Sequence, residues 1–119
     1  MTSKIENKLI DKATAHFKEV LAEGLKGPIH VPEWDVDIYY KPSTTLAEEA
    51  KVVELTQKGK STEALVITLI MRARDKDGNP LFDMADQYKL MRGVDPKVIL
   101  KVVTQFNADA EKTEEALGN

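Results

Sequence analysis

The chain contains no cysteine, only two histidines and one tryptophan among 119 residues. Without cysteine no disulfide forms, and the two histidines, His16 and His30, have no neighbouring thiol or third imidazole with which to build a zinc site. Six glycines and five prolines are too few and too scattered for a phosphate-cradling glycine loop or a low-complexity linker. Arginine occurs only at 72, 74 and 92, which argues against bidentate reading of phosphates or bases. No run of about 18 apolar residues exists to span a membrane. The opening Met-Thr-Ser-Lys-Ile-Glu-Asn-Lys lacks the apolar core and small-residue cleavage site of a secretory signal. These absences predict a soluble intracellular protein of one domain, with no cofactor, no metal, no catalytic residues, no nucleic-acid partner and no membrane partner.

The net charge of −3 is concentrated at one end. From Asn107 onward stand Asp109, Glu111, Glu114 and Glu115 against Lys112 alone, which leaves residues 1–106 neutral. A neutral body puts up little electrostatic resistance to self-association. It also lacks the basic surplus of a nucleic-acid binder. Residues 1–107 read as a single globular domain and residues 108–119 as an acidic, flexible C-terminal tail.

What the chain does have is an almost wholly apolar segment, Ala64 to Ala73, broken only by Thr68 and Arg72. A helix that is apolar all round must be buried on most sides, so this one is expected at the centre of the core. Around it the pattern predicts an α+β, helix-rich fold: a small antiparallel β-hairpin packed on a bundle of about five helices. Ser3 and Glu6 form a capping-box pattern ahead of a stripe of Ile5, Leu9, Ala13, Phe17 and Leu21, with Ile10 and Val20 beside it, stopped by Gly24 and Gly27-Pro28. His16 lies at the edge of that stripe and reads as a packing or surface residue. Ile29 and Val31, then Val36, Ile38 and Tyr40, alternate at period two and predict two strands joined around Pro32-Glu33-Trp34.

Thr45 and Glu48 predict a second capping box, for a helix whose Leu46, Ala50 and Val53 point one way. Gly59-Lys60-Ser61 breaks the chain, and Ser61 or Thr62 is expected to cap the buried helix. A helix from Asp83 to Gly93 carries Met84, Tyr88 and Met91 on one side. Asp95-Pro96 opens the last helix, whose inner face is Val98, Ile99, Val102, Val103 and Phe106.

Asp75-Lys76-Asp77-Gly78-Asn79 has the composition of a calcium loop but not its spacing, because glycine is fourth instead of sixth and the twelfth residue is Asp86. It reads as a tight turn. The serines Ser3, Ser43 and Ser61 stand in helix-cap contexts, not beside a base. The apolar residues left over, Trp34, Leu81 and Phe82 in turns and Tyr39 on the outer side of its strand, either fold back as lids or form a patch for a partner.

Two stretches taken in order resemble the tail assembly chaperones of long-tailed (siphophage-type) bacteriophages. The first is Val31-Pro32-Glu33-Trp34, the alternating strand to Lys41, then Ser43-Thr44-Thr45-Leu46-Ala47-Glu48-Glu49. The second is the apolar helix followed by Arg74-Asp75-Lys76-Asp77-Gly78-Asn79-Pro80-Leu81-Phe82-Asp83 and Asp86. The likeness covers Ile29 to Asn107, with Asp35 where the family often has glycine, Lys41-Pro42 in place of its basic–acidic pair, and the first helix outside it.

The resemblance implies a non-enzymatic assembly factor in the host cytoplasm. It would bind the tape measure protein, keep it soluble until tail-tube subunits polymerise around it, and be absent from the mature virion. It further implies a homo-oligomer and a frameshifted longer form that reaches the tail-tube protein. Trp34, Tyr39, Leu81 and Phe82 are then the candidate partner-binding residues. The rival expectations are a structural virion component, such as a tail connector or completion protein, and a helix-turn-helix DNA binder. The second is disfavoured by the apolar face of the last helix.

Overall fold

A computed structural model describes the backbone from Thr2 to Gly118 and the side chains from Lys8 to Ala108. In chain order the elements are α1 (Thr2–Ala22), β1 (Lys26–Val31), a 3-10 turn (Pro32–Trp34), β2 (Val36–Tyr40), α2 (Leu46–Gln57), α3 (Ser61–Arg72), β3 (Ala73–Arg74), a second 3-10 turn (Met84–Asp86), α4 (Gln87–Arg92) and α5 (Pro96–Gly118). The fold is α+β and helix-rich, as its sequence pattern leads one to expect. The side chains of Ser3 and Glu6, and of the acidic tail from Asp109 on, lie outside the described residues, while the backbone of α5 is helical to Gly118.

α3 is the centre. Ala64, Val66, Ile67, Leu69 and Ile70 are buried, and no residue from Glu63 to Arg72 is fully exposed. The one hydroxyl in the run, on Thr68, donates back to the Ala64 carbonyl at 2.9 Å, so it brings no unmet polar group into the core. α2, α4 and α5 all pack on α3. From α5 come Val98, Ile99, Val102, Val103 and Phe106, every one buried. The sheet contributes Val31, Ile38 and Tyr40.

The sheet order is β1-β2-β3, antiparallel throughout. The expected hairpin therefore gains a third strand, which α3 feeds directly from its C-terminus: Tyr40 pairs with Ala73 and Tyr39 with Arg74. At that junction the Arg72 guanidinium stacks over the rings of Tyr40 at 5.4 Å and Phe106 at 5.2 Å and donates to the Lys41 carbonyl at 2.8 Å. One cation thus ties sheet, α3 and α5 together at their common meeting point.

Three local expectations need correction. α3 is capped by neither Ser61 nor Thr62; its N-cap is Lys60, without a side-chain cap bond. Only Lys58, Gly59 and Lys60 separate α2 from α3, with Gly59 at φ +75° and the Lys60 amide bonded back to the Leu55 carbonyl, so the tight link takes the cap position. On α2 it is Glu48, Val52 and Leu55 that are partly covered, while Leu46, Ala50 and Val53 face solvent; both triplets fit helical spacing, and packing on α3 selects the first. The helix expected from Asp83 opens as a 3-10 turn, capped by Asp83 and Asp86 reciprocally. That start, at three residues per turn, shifts the phase. Leu90 turns inward, Met91 is partly covered, and Met84 and Tyr88 are left outside, with Arg92 over the Tyr88 ring at 4.5 Å.

Among the described residues α1 packs far less extensively than the other long helices, although its Phe17 and Val20 are half-buried. The radius of gyration is 16.6 Å, against roughly 13.5 Å for a compact chain of this length.

Two backbone positions in the β1–β2 hairpin carry strain that depends on residue type. Gly27 has φ +103°, and a Cβ there would sit 2.9 Å from the Ile38 carbonyl oxygen. Asp35, directly after Trp34, has φ 51° and ψ 51°, the left-handed conformation that glycine adopts at no cost. Gly27→Ala should lower unfolding free energy by about 1–3 kcal/mol. Asp35→Gly should stay within about 0.5 kcal/mol of the parent while Asp35→Val loses about 1–2 kcal/mol. Urea titration measures all three.

The link from β2 to α2 is held by charge. The Thr45 hydroxyl accepts from the Glu48 amide and the Glu48 carboxylate accepts from the Thr45 amide at 2.9 Å, a complete capping box. Lys41 reaches the other Glu48 oxygen at 3.2 Å. The Thr45 amide above all, with Lys41 behind it, holds the Glu48 carboxyl below its ordinary value of 4.5. Because the folded value is the lower one, this contribution is fully present above the ordinary carboxylate range and is lost as pH falls through the folded value. Glu48→Ala should cost about 1 kcal/mol at neutral pH and flatten the acid limb of the stability profile, measured by denaturant titration from neutral pH into the acid range.

Candidate partner-binding surface

The apolar residues outside regular helices divide into two groups. Trp34 ends the 3-10 turn, and its ring meets Phe82 edge-on, with centroids 6.2 Å apart and planes at 77°. Trp34, Leu81 and Phe82 are each partly buried and packed on the core. These three are lids with an exposed edge. Tyr39 is not with them; alternation along β2 sends Ile38 and Tyr40 inward and Tyr39 to the opposite side, next to Arg74 of β3.

The lid is positioned by the segment Ala73–Leu81. Asp75 accepts from the amides of Asp77 and Asn79, both at 2.9 Å, and from the Asn79 side chain at 3.3 Å. These donors, the Asn79 amide first, hold its carboxyl below the ordinary carboxylate range. Its carbonyl accepts from Gly78, and its amide donates to the Asn79 carbonyl. The acidic segment is thus a closed turn whose carboxylate is occupied by its own backbone. Arg74 then bridges to Pro80, and the Leu81 amide bonds the Ala73 carbonyl at 3.2 Å, which throws Leu81 and Phe82 back over the core. From the other side Lys101 of α5 reaches Glu33 at 3.3 Å, fixing the 3-10 turn that carries Trp34.

No group of three or more His, Cys, Asp or Glu side chains could hold a metal ion among the described residues. His30 and Asp37 face each other across β1 and β2 at 2.8 Å, on the solvent side of the sheet. His16 is exposed on α1. A shallow pocket of about 300 Å³ lies where the end of α1 meets the body, lined by Leu21, Gly24, Leu25, Lys41, Pro42, Arg74 and Gly78. No described helix is long and apolar enough to cross a membrane.

The apolar surface that lacks any intramolecular use lies elsewhere. Leu46 is 86 % exposed and Val53 49 %, on the outer face of α2 with Ala50 between them. Leu9 and Ile10 on α1 are 71 % and 58 % exposed. Among the described residues, Leu21, Met84, Tyr88 and Leu100 are the other large apolar side chains left in solvent. All of these positions but Leu100 were visible in the sequence as members of helical stripes. Nothing in the pattern said which stripes the core would leave uncovered. No family model, curated protein or solved structure matches the chain.

Trp34 and Phe82 should be energetically coupled. Trp34→Ala and Phe82→Ala are each expected to destabilise by about 2–3 kcal/mol, below the cost of fully buried rings. The double variant should reveal a coupling of about 0.5–1.5 kcal/mol, measured by a double-mutant cycle in guanidinium chloride.

Proposed function

We propose that this protein is a tail assembly chaperone of a long-tailed bacteriophage, a non-enzymatic factor that binds the tape measure protein and keeps it soluble during tail morphogenesis. It would act in the host cytoplasm and leave before the virion is complete. The observation that carries the proposal is a core already closed around α3 while Leu46, Ala50 and Val53 stand in solvent on one face of α2. An apolar stripe on a helix is the surface to which an amphipathic client helix binds through positions spaced three and four apart. A partner surface, with no assembled reactive group beside it, suits a holding factor better than a catalyst.

Two further points support the reading. The elements from Ile29 to Asn107 follow the order that the sequence likeness requires, from the Trp34 turn through the buried helix to the closed acidic turn and two more helices. One of the departures, Asp35 in place of glycine, falls on a left-handed residue, where aspartate is among the better-tolerated alternatives to glycine. Tyr39 and the exposed edges of Trp34, Leu81 and Phe82 would extend the contact. A frameshifted longer form would add the tail-tube protein as a second partner.

Co-expression with the tape measure protein, followed by affinity capture, tests the proposal. The client should be soluble only when this chain is present. Leu46→Asp with Val53→Asp should abolish capture while leaving the unfolding transition within about 0.5 kcal/mol of the parent, because neither residue serves the core. A client that stays insoluble with both the short and the frameshifted form would overturn the reading. Recovery of the chain from purified particles would favour a structural tail component.

A further inference from the structure

We propose that the outer face of α2 receives an amphipathic helix of another protein whose apolar seam is bordered by lysine or arginine on both sides. The proposal rests on the reading of this face as a client-binding surface and adds the chemistry of the client. At about 100° per residue, Leu46, Ala50 and Val53 fall within an arc of about 60°. Glu48, Val52 and Leu55, on the side packed against α3, lie opposite that arc. The stripe therefore points directly out of the body.

The borders of the stripe are acidic. Glu49 and Glu54 lie about 70° from its centre, one on each side, and both are exposed. Side chains at that angle flank the seam of a paired helix, where their charges select the partner. The basic residues stand further round: Lys51 lies about 130° from the centre, and Lys58, just past the helix, pairs with Glu54 at 2.8 Å. Glu49 accepts from the Thr44 hydroxyl. Neither contact exhausts a carboxylate, which has about four acceptor sites, and an exposed pair such as Glu54–Lys58 contributes little and exchanges readily. The same borders exclude a second copy paired through α2. A parallel pair would set Glu49 against Glu54, and an antiparallel pair would set each glutamate against its own equivalent. A helix with basic borders meets a carboxylate on each side in either direction. The small Ala50 between Leu46 and Val53 leaves a hollow for a bulky apolar side chain of that helix.

Two synthetic helical peptides test the proposal, each about three heptads long with the same leucine seam. One carries lysine at every position flanking the seam and the other carries glutamate. Fluorescence anisotropy of the labelled peptide, at trace concentration and low salt, is followed as the full chain is added. The lysine peptide should bind about tenfold more tightly than the glutamate peptide, and added salt should shrink the gap. Glu49→Lys with Glu54→Lys should reverse the preference. Glu111→Lys with Glu114→Lys, an equal change of charge at the acidic end, should leave it in place. Leu46→Ala with Val53→Ala should weaken the lysine peptide by about tenfold. Trp34 fluorescence and circular dichroism report whether each variant is folded.

Equal binding of the two peptides, or a preference that moves as much with residues 111 and 114 as with 49 and 54, would overturn the proposal. So would a dimer of the parent, seen by sedimentation velocity, that Leu46→Ala with Val53→Ala dissolves, because the occupant would then be a second copy. Capture of the tape measure protein is read separately. A client held equally well by Glu49→Lys with Glu54→Lys would keep the chaperone reading and overturn this proposal. A reversed peptide preference without capture of that client would keep this proposal and overturn the chaperone reading.

Discussion

The constraint on which the rest of the structure depends is the all-round burial of α3. A helix with no polar side to offer water can be stable only if other elements enclose it, and the arrangement of the body follows from that demand. α2 and α4 cover it from neighbouring positions in the chain, and α5 lays five buried apolar residues against it. The sheet closes a further side, because α3 runs without a loop into β3 and takes its place beside β2. Arg72 sits at that junction, and its planar cation is accommodated between two aromatic faces and a carbonyl oxygen. The lid of Trp34, Leu81 and Phe82 then seals the side that the acidic turn leads back to.

Much of this was legible in the sequence because it is local. The buried helix is marked by the absence of polar residues, the last helix by Asp95-Pro96 and its five apolar positions, the hairpin by alternation around Pro32-Glu33-Trp34, and the cap at Thr45 by Glu48 three residues on. The turn at Asp75 was legible from residue type, and its geometry explains why: the Asp75 carboxylate closes on its own backbone amides.

What was not legible is the choice between faces. On α2, Leu46-Ala50-Val53 and Glu48-Val52-Leu55 are both helically spaced, and only the position of α3 decides which lies inside. On the segment after Asp83, a 3-10 start set the phase so that Leu90 turned inward in place of Met84 and Tyr88. The third strand, two residues long, was too short to leave a pattern. The same choice governs the candidate surface: of the two readings open to the turn residues, Trp34, Leu81 and Phe82 fold back on the core as lids with an exposed edge, while Leu46 and Val53 on α2 stand in solvent. Apolar periodicity reveals that a face must be covered and is silent on whether the cover comes from the same chain.

That distinction is the centre of the account: a body completed around α3, and an α1 whose Leu9, Ile10 and Leu21 remain in solvent. Hydrogen exchange followed amide by amide, at a dilution where the chain is monomeric, tests it most directly. The account predicts that α3 and the β2 ladder exchange slowest, only through global unfolding, while the amides of α1 exchange faster than those of every other helix of the body. Protection of α1 as strong as that of α3 under the same dilution would contradict it, and would mean that the first helix belongs to the core after all.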